Sequence, residues 1–160
     1  MIVDIQLNHK TVIVIGGGIE GSRKVRGLLD QNCNIIVITN RTNKYLLSLE
    51  KQGKIKIIKS KLTSAKIILD NYKDLYLIIA ATNDRILNRL LVDKGRQMHA
   101  FAYAADDPQY SDFSYLSLIP VGYGYQVGIS TSGRSPILAR SIRIRGERIL
   151  HRMLNQMILK

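Results

Sequence analysis

The chain has 160 residues, with 24 Lys and Arg against 12 Asp and Glu, which gives a net charge of +12. At 46% hydrophobic and 22% charged residues, its composition is that of a globular protein and excludes a disordered or fibrous chain. The single cysteine, Cys33, excludes an internal disulfide and a multi-cysteine metal site. No apolar run is long enough to cross a bilayer, and the first ten residues lack the pattern of a secretory signal, so we expect a cytoplasmic protein.

The first two thirds of the chain alternate between strand and helix patterns. Short apolar, β-branched runs predict buried strands, and apolar residues at helical spacing predict the helices between them. We predict strands at 11–15, 34–38, 54–58, 75–81 and 100–105, and helices at 19–31, 64–72 and 84–98. This alternation predicts an α/β fold with a parallel sheet and helices on both faces.

The pattern changes after Asp106. We predict strands at 115–121 and 126–130, then a long basic helix from about Pro136, where Ser135 supplies a cap and proline fits the first turn. A soft boundary near Pro108 divides the chain into a domain of residues 1–108 and a segment of residues 109–160. The second segment is too small for an independent core, so we expect it to pair with a second copy in a homodimer.

Positive charge is concentrated near the C-terminus, where residues 134–160 hold seven Lys or Arg and one acidic residue. Such a segment can attract nucleic acid, anionic lipid or a small polyanionic ligand, and a solvated helix face is the plainer interpretation. No nucleic-acid-binding motif accompanies the charge. We therefore expect neither a nucleic acid nor a membrane partner.

A glycine-rich motif follows the first predicted strand. Residues 16–21, GGGIEG, satisfy GxGxxG between a strand and a helix, which is the context that a dinucleotide-binding loop requires. In such a loop Gly16 permits the tight turn, Gly18 lets the backbone approach a pyrophosphate, and Gly21 allows close packing of the helix on the strand. The helix N-terminus favours phosphate. With the predicted sheet, the motif indicates a Rossmann-type domain; a glycine turn without a ligand is the alternative.

The second predicted strand lacks the acidic residue that usually holds the ribose hydroxyls. Thr39, Asn40 and Arg41 stand there instead. Asn40 can bond the ribose, whereas Arg41 can contact a 2′-phosphate or face water. These residues leave the choice between NAD and NADP open.

Four further strings occur in a characteristic order. They are GGGxxxxRK at 16–24, AATND followed by LN at 80–88, DDP before SDF at 106–113, and STSGRSPILAR at 130–140. In this order and spacing the set resembles the siroheme synthase N-terminal family, which comprises precorrin-2 dehydrogenases, some of which are also sirohydrochlorin ferrochelatases. The resemblance covers roughly residues 1–150.

The resemblance implies an enzyme that oxidises precorrin-2 to sirohydrochlorin with NAD on the route to siroheme. It also implies a homodimer with a Rossmann domain, a dimerisation region and a helical tail. Asp106 matches the family's essential aspartate, in an NxVDxP-like segment. Together with the glycine motif and the AATND string, the resemblance predicts these cofactor contacts: Gly16, Gly18, Ile19, Glu20, Gly21, Asn40, Arg41 and Thr82.

The chain departs from the family pattern at two positions and in its length. Tyr103 replaces the usual Asn and Leu116 the usual Pro, and both changes can reshape the tetrapyrrole pocket. The chain also stops at Lys160, without much of the helical tail of longer members. We therefore expect dehydrogenation, and iron insertion by the same protein remains an alternative.

The implied substrate carries eight carboxylates, which favours a basic site. The predicted substrate contacts are Ser130, Thr131, Ser132, Arg134 and Arg140, with Lys24 and Arg143 as further candidates. We expect Asp106 to accept a proton or to orient the substrate; Asp107 is its nearest rival, and a plain turn before Pro108 is the structural alternative.

Other functions remain open at this point. The three histidines, His9, His99 and His151, are scattered, so no metal site is predicted. A non-enzymatic NAD-binding redox sensor requires neither Asp106 nor the STSGRSPILAR string. An NADP-linked reductase of another small substrate is favoured only if Arg41 selects the 2′-phosphate.

Overall fold

The computed structural model describes residues 2–72, 74–122, 125–131 and 134–158. The chain divides into two compact units, Met1–Phe113 and Ser114–Lys160. The strands of the first unit are β1 (Thr11–Ile15), β2 (Asn34–Thr39), β3 (Lys56–Lys59), β4 (Leu75–Ala80) and β5 (Phe101–Ala104). Its helices are α1 (Ile19–Leu28), α2 (Lys44–Lys51), α3 (Ala65–Leu69) and α4 (Arg85–Gln97).

The five strands form one parallel sheet in the order β3-β2-β1-β4-β5. The chain starts in the middle of the sheet, builds one side outward and then crosses over to build the other, as in Rossmann folds. The crossover from β3 to β4 brings the ends of β1 and β4 together, and a crevice opens there. The predicted parallel α/β sheet is confirmed.

The two faces of β1 pack against different helices because successive side chains of a strand point in opposite directions. Val12 and Val14 lie in one buried cluster with Val25 of α1. Ile13 and Ile15 lie in the other, with residues of α3 and α4. Both faces of the sheet are therefore covered, which explains why its central strands are apolar throughout.

Helix α2 was not among the predicted elements. Its first turn depends on Asn43, whose side-chain Oδ1 accepts the N–H of Leu46 at 3.0 Å. Only Leu46 and Leu49 of the eight residues are buried, so the apolar pattern is too short to indicate a helix.

The first unit extends to Phe113, past the boundary expected near Pro108. The reason is that the segment after Pro108 folds back on β5. Ser111 Oγ accepts the N–H of Ala104 at 2.9 Å, and Asp112 Oδ2 accepts the N–H of Ala102 at 2.8 Å. These side chains take the place of a further strand at the edge of β5.

The second unit contains two antiparallel strands and a helix. The strands are β6 (Ser117–Gly122) and β7 (Tyr125–Ile129), and the helix is α5 (Pro136–Ile158). Ile119 of β6 is 1% exposed, and Gly146 of α5 lies against it; a Cβ at Gly146 would come within 3.1 Å of Ile119 Cδ1, so that side chain would have to shift slightly. Within the described residues, no helix is both long enough and apolar enough to span a membrane.

Candidate active site

A cleft of about 600 Å³ opens at the carboxyl ends of β1, β2 and β4. Its walls are the glycine loop after β1, residues 39–43 after β2 and residues 81–84 after β4, with Leu62 and Leu87. Clefts of ~300–1,000 Å³ are typical of small-molecule sites, and ligands of open parallel sheets bind at this edge.

The three glycines of the motif differ in what surrounds them. A Cβ at Gly16, which has φ 109°, would collide with the carbonyl oxygen of Ala81, and one at Gly21 would collide with the carbonyl oxygen of Gly16. Gly18 has no atom within 4 Å of the position of a Cβ, and it lines the cleft. Gly16 and Gly21 hold the loop close to its neighbours, whereas Gly18 leaves the cleft open beside the start of α1.

Thr39 closes the loop from the β2 side. It is 1% exposed, and its Oγ1 accepts the N–H of Gly17 at 2.9 Å and donates to the carbonyl oxygen of Arg41 at 2.6 Å. Since this hydroxyl is used inside the protein, the exposed side chains of Asn40 and Arg41 form the polar surface at the end of β2.

Asn43 links the glycine loop and α1 to the start of α2, on the opposite side of the cleft. This residue was not predicted from the sequence. Its Nδ2 donates to the carbonyl oxygen of Gly17 at 3.2 Å and to Ser22 Oγ at 2.7 Å, while its Oδ1 caps α2. The available signal was an Asn immediately before a helix-forming run, the residue type that favours an N-cap.

The β4 wall of the cleft is joined to Asp106 through a buried asparagine. Asn88, 1% exposed, accepts the N–H and the hydroxyl of Thr82 on Oδ1, at 3.1 and 2.7 Å. Its Nδ2 donates to the carbonyl oxygen of Thr82 at 3.1 Å and to Asp106 Oδ1 at 2.7 Å. Asp106 itself is exposed.

Asp107 has a different environment from its neighbour. Its Oδ2 accepts from Arg89 at 2.7 Å and from Arg85 at 3.2 Å, so the side chain fastens the loop to α4. The hydrogen bond from Arg89, and then that from Arg85, hold the pKa of Asp107 below its usual value. Of the two rival carboxylates, Asp107 is occupied in an ion pair and Asp106 is the one presented to solvent.

Lys24, a candidate for substrate contact, lies inside the first unit. It is 7% exposed, with Nζ 4.2 Å from the ring centroid of Tyr103 and 3.9 Å from Glu20. Burial lowers the pKa of Lys24 to about 8. Tyr103, at the position where the family usually has Asn, is 6% exposed and packs against Phe113. These contacts indicate a structural role for Lys24 of α1 and Tyr103 of β5.

Six of the eight predicted cofactor contacts line the cleft: Gly16, Gly18, Ile19, Asn40, Arg41 and Thr82. The other two do not. Glu20 turns to Arg23, with an oxygen-to-nitrogen distance of 2.6 Å, and Gly21 lies where α1 packs on the loop. The structure therefore brings together the glycine loop, the end of β2 and the end of β4.

The predicted substrate contacts belong to the second unit. Thr131 Oγ1 donates to the carbonyl oxygen of Ser135 at 3.2 Å, and Ser135 Oγ accepts the N–H of Leu138 at the start of α5. Arg134, Arg140 and Ser130 are exposed, and Thr131 is partly buried. Ser132 lies outside the described residues. Over the part of the chain that is described, no three His, Cys, Asp or Glu residues are grouped to hold a metal ion.

Curated relatives of this chain include siroheme synthases. Siroheme synthase of Neisseria meningitidis serogroup C is 31% identical over 154 residues, which cover 94% of this chain and 30% of that protein. Siroheme synthase 1 of Aeromonas salmonicida is 32% identical over 145 residues, which cover 91% and 30%. The chain thus spans less than a third of the length of these relatives.

Among solved structures, SirC, a precorrin-2 dehydrogenase, superposes with a TM-score of 0.76 at 23% identity, covering 91% of this chain and 68% of that one. This likeness establishes the fold and agrees with the predicted Rossmann-type sheet. The model of a family described as NAD(P)-binding matches residues 3–117, which include every residue that lines the cleft. The chain belongs to this NAD(P)-binding family.

Proposed function

We propose that the chain is an NAD-dependent dehydrogenase that oxidises precorrin-2 to sirohydrochlorin in siroheme biosynthesis. The observation that carries the proposal is the exposed carboxylate of Asp106, which is held through buried Asn88 to Thr82 in the wall of the nucleotide cleft. The names of the relatives, siroheme synthase and precorrin-2 dehydrogenase, support the substrate.

The cleft has the parts that a dinucleotide requires. Gly18 and Ile19 line it where α1 begins, and the N–H groups of a helix's first turn have no partner within the helix and favour phosphate. Open space beside Gly18 admits a pyrophosphate close to the backbone. Asn40 would bond the ribose. NAD, when bound, accepts a hydride from the substrate.

The choice of NAD over NADP rests on the resemblance to the siroheme synthase family. Arg41 is exposed at the cleft, and an arginine there is also suited to a 2′-phosphate. NADP is therefore the cofactor to compare directly with NAD.

Oxidation of precorrin-2 breaks a C–H bond, and the hydride leaves with both bonding electrons while a separate proton is lost. The reaction therefore needs a group that accepts this proton or that orients the reacting carbon. Asp106 is suited to either task because it is exposed at the end of β5, on the carboxyl edge of the sheet that also holds the cleft. Asp107 is bound to two arginines and is excluded from this role.

The charge of the chain suits a substrate with eight carboxylates. A net charge of +12 draws a polyanion toward the protein, and exposed arginines bind carboxylates in pairs of hydrogen bonds. We propose Arg134 and Arg140, with Ser130, Thr131 and Ser132, as substrate contacts in the second unit.

We also propose that the protein is a homodimer paired through the second unit. A two-stranded sheet is marginally stable alone. Apolar side chains are exposed in this unit at Leu118, Tyr125, Val127, Ile142, Ile149 and Met153. Sedimentation is expected to give twice the mass of one chain, and a Leu118→Lys variant is expected to shift it toward a single chain; a monomeric wild-type protein would contradict the proposal.

A cytoplasmic location is part of the same proposal. One cysteine in the whole chain means that the fold uses no internal disulfide, as is usual for proteins of reducing compartments. Fractionation of the source cells with an antibody to the chain tests this location, and recovery outside the cytoplasm would contradict it.

The test is an anaerobic assay with enzymatically generated precorrin-2 and NAD, followed by NADH absorbance. Wild-type protein is expected to form NADH, and Asp106→Ala to keep only a small residual rate while it still binds NAD. Asp30→Ala is the matched control because Asp30 is exposed and precedes β2, at the opposite edge of the sheet from the cleft. Full activity of Asp106→Ala would remove Asp106 from the mechanism.

A further inference from the structure

We infer that Asn88 is a positioning residue, which fixes the carboxylate of Asp106 relative to the wall of the nucleotide cleft. Its effect on turnover rests on the proposed function, whereas the contact itself is measurable without it. Asn88 lies on the first turn of α4, and its side chain reaches both the chain after β4 and the chain after β5.

The hydrogen bonds of Asn88 determine which way its amide points. Oδ1 accepts two bonds, from the N–H and the hydroxyl of Thr82, and Nδ2 donates to the carbonyl oxygen of Thr82. The other N–H of the amide then points to Asp106, with 2.7 Å between Nδ2 and Oδ1. Rotation of the amide by half a turn would place oxygen against two acceptors and nitrogen against a donor N–H, so one orientation is strongly favoured.

Burial and helix geometry make this arrangement rigid. Asn88 is 1% exposed, so its polar atoms have no access to water as an alternative partner. The start of α4 is itself fixed, because Asp84 Oδ1 accepts the N–H groups of Ile86 and Leu87 at 2.9 and 3.0 Å. A rigid donor on a capped helix therefore holds one carboxylate oxygen of Asp106.

The loop that carries Asp106 is also held at its next residue, Asp107. The position of the Asp106 side chain can therefore change while the loop stays attached to α4. Arg85 and Arg89 bind Asp107, so the loop stays on α4 when Asn88 is removed. Loss of Asn88 is then expected to leave the fold of the loop and to free the Asp106 side chain. Misplacement of a catalytic group by ~1 Å costs on the order of 100-fold in rate.

The kinetic test is a double-mutant cycle on kcat. Asn88→Ala is expected to lower kcat by about 10- to 100-fold in the wild-type background and to have no further effect in Asp106→Ala. Asn43→Ala is the matched control: Asn43 bonds three partners in the opposite wall, all of them in residues 17–46. Its effect is expected to be the same in both backgrounds. An equal loss from Asn88→Ala in both backgrounds would overturn the inference.

A second variant covers the case in which Asn88→Ala does not fold. Asn88→Asp has the same size and keeps an acceptor for the N–H and hydroxyl of Thr82, but it replaces the NH₂ group, which donates to Asp106 and to the carbonyl oxygen of Thr82, with a second carboxylate oxygen. It is expected to fold, as circular dichroism will show, and to lose kcat by at least as much. A folded Asn88→Asp protein with wild-type kcat would contradict a positioning role.

A readout without substrate keeps this inference separate from the proposed function. In nitrogen-15-labelled protein, the side-chain NH₂ signal of Asn88 is identified by its loss in Asn88→Asp. The signal is expected to shift in Asp106→Ala and to stay in place in Asp30→Ala. If it stays in place in Asp106→Ala, the inference fails. If it shifts while wild-type protein does not oxidise precorrin-2, the contact is supported and the proposed function alone fails.

Discussion

Replacement of Lys24 by Met tests whether the buried charge of this lysine destabilises the first unit. Burial lowers the pKa of Lys24 from 10.5 to about 8, and this difference corresponds to about 3 kcal/mol of penalty on the charged form. The ring of Tyr103, 4.2 Å from Nζ, opposes this penalty by roughly 0.5–2 kcal/mol. Burial is the larger effect, so a net cost of about 1–2.5 kcal/mol remains when Lys24 is charged.

The sign of the pH dependence follows from the lowered pKa. Between about pH 8 and 10.5 the folded chain binds fewer protons at Lys24 than the unfolded chain, so the wild-type free energy of unfolding rises with pH across this window. Below about pH 8 the full cost is present. Lys24→Met removes the charge and keeps an apolar stem, so the variant is expected to be more stable than wild type at neutral pH, with the difference shrinking toward pH 10.

Urea unfolding of both proteins at neutral and alkaline pH measures this difference. Lys66→Met is the matched control because Lys66 is exposed on α3, so its replacement removes a charge without relieving any burial. A Lys24→Met variant less stable than wild type at neutral pH would mean that the ring outweighs burial, which would refute the reasoning. An increased KM for precorrin-2 would instead show that the Lys24 charge faces the substrate.

Three further outcomes are expected from the cleft and its loop. Gly18→Ala should leave the melting temperature unchanged and weaken NAD binding about tenfold. Gly21→Ala should instead lower the free energy of unfolding by ~1–3 kcal/mol, because its Cβ would be overpacked against Gly16. Equal effects of the two variants on NAD binding and on stability would contradict this contrast. Arg41→Ala should weaken NADP more than NAD in a binding titration, and a uniform loss would mean that Arg41 does not meet the 2′-phosphate. Asp107→Asn should be less stable than wild type at neutral pH, and the gap should begin to close only below about pH 3.8 and vanish once the pH falls below the lowered pKa of Asp107 in the folded chain; a gap that persists after Asp107 is fully protonated would refute the ion-pair account.

The sheet was predictable from the sequence because its central strands have no polar face. Runs such as 11–15 and 34–38 are apolar at every central position, and only a strand covered on both sides tolerates that pattern. The glycine loop was predictable for a related reason. A Cβ at Gly16 or Gly21 would collide with a backbone carbonyl oxygen, so only glycine fits at these positions and the motif is recognisable in the sequence.

The site was only partly predictable because its side chains meet across long separations in the chain. Asn88 and Asp106 are 18 residues apart and touch because α4 packs against both β4 and β5, which no local pattern indicates. The burial of Lys24 depends in the same way on Tyr103 of β5. Asn43 was missed for a different reason, since α2 buries too few residues to produce a helical pattern.

The most direct test of the account is the stoichiometry of the reaction under anaerobic conditions. Wild-type protein, supplied with precorrin-2 and NAD, is expected to form one NADH for each sirohydrochlorin, with only a small residual rate in Asp106→Ala. Tight binding of NAD by a folded protein that forms neither product would contradict the proposal that this chain is a precorrin-2 dehydrogenase.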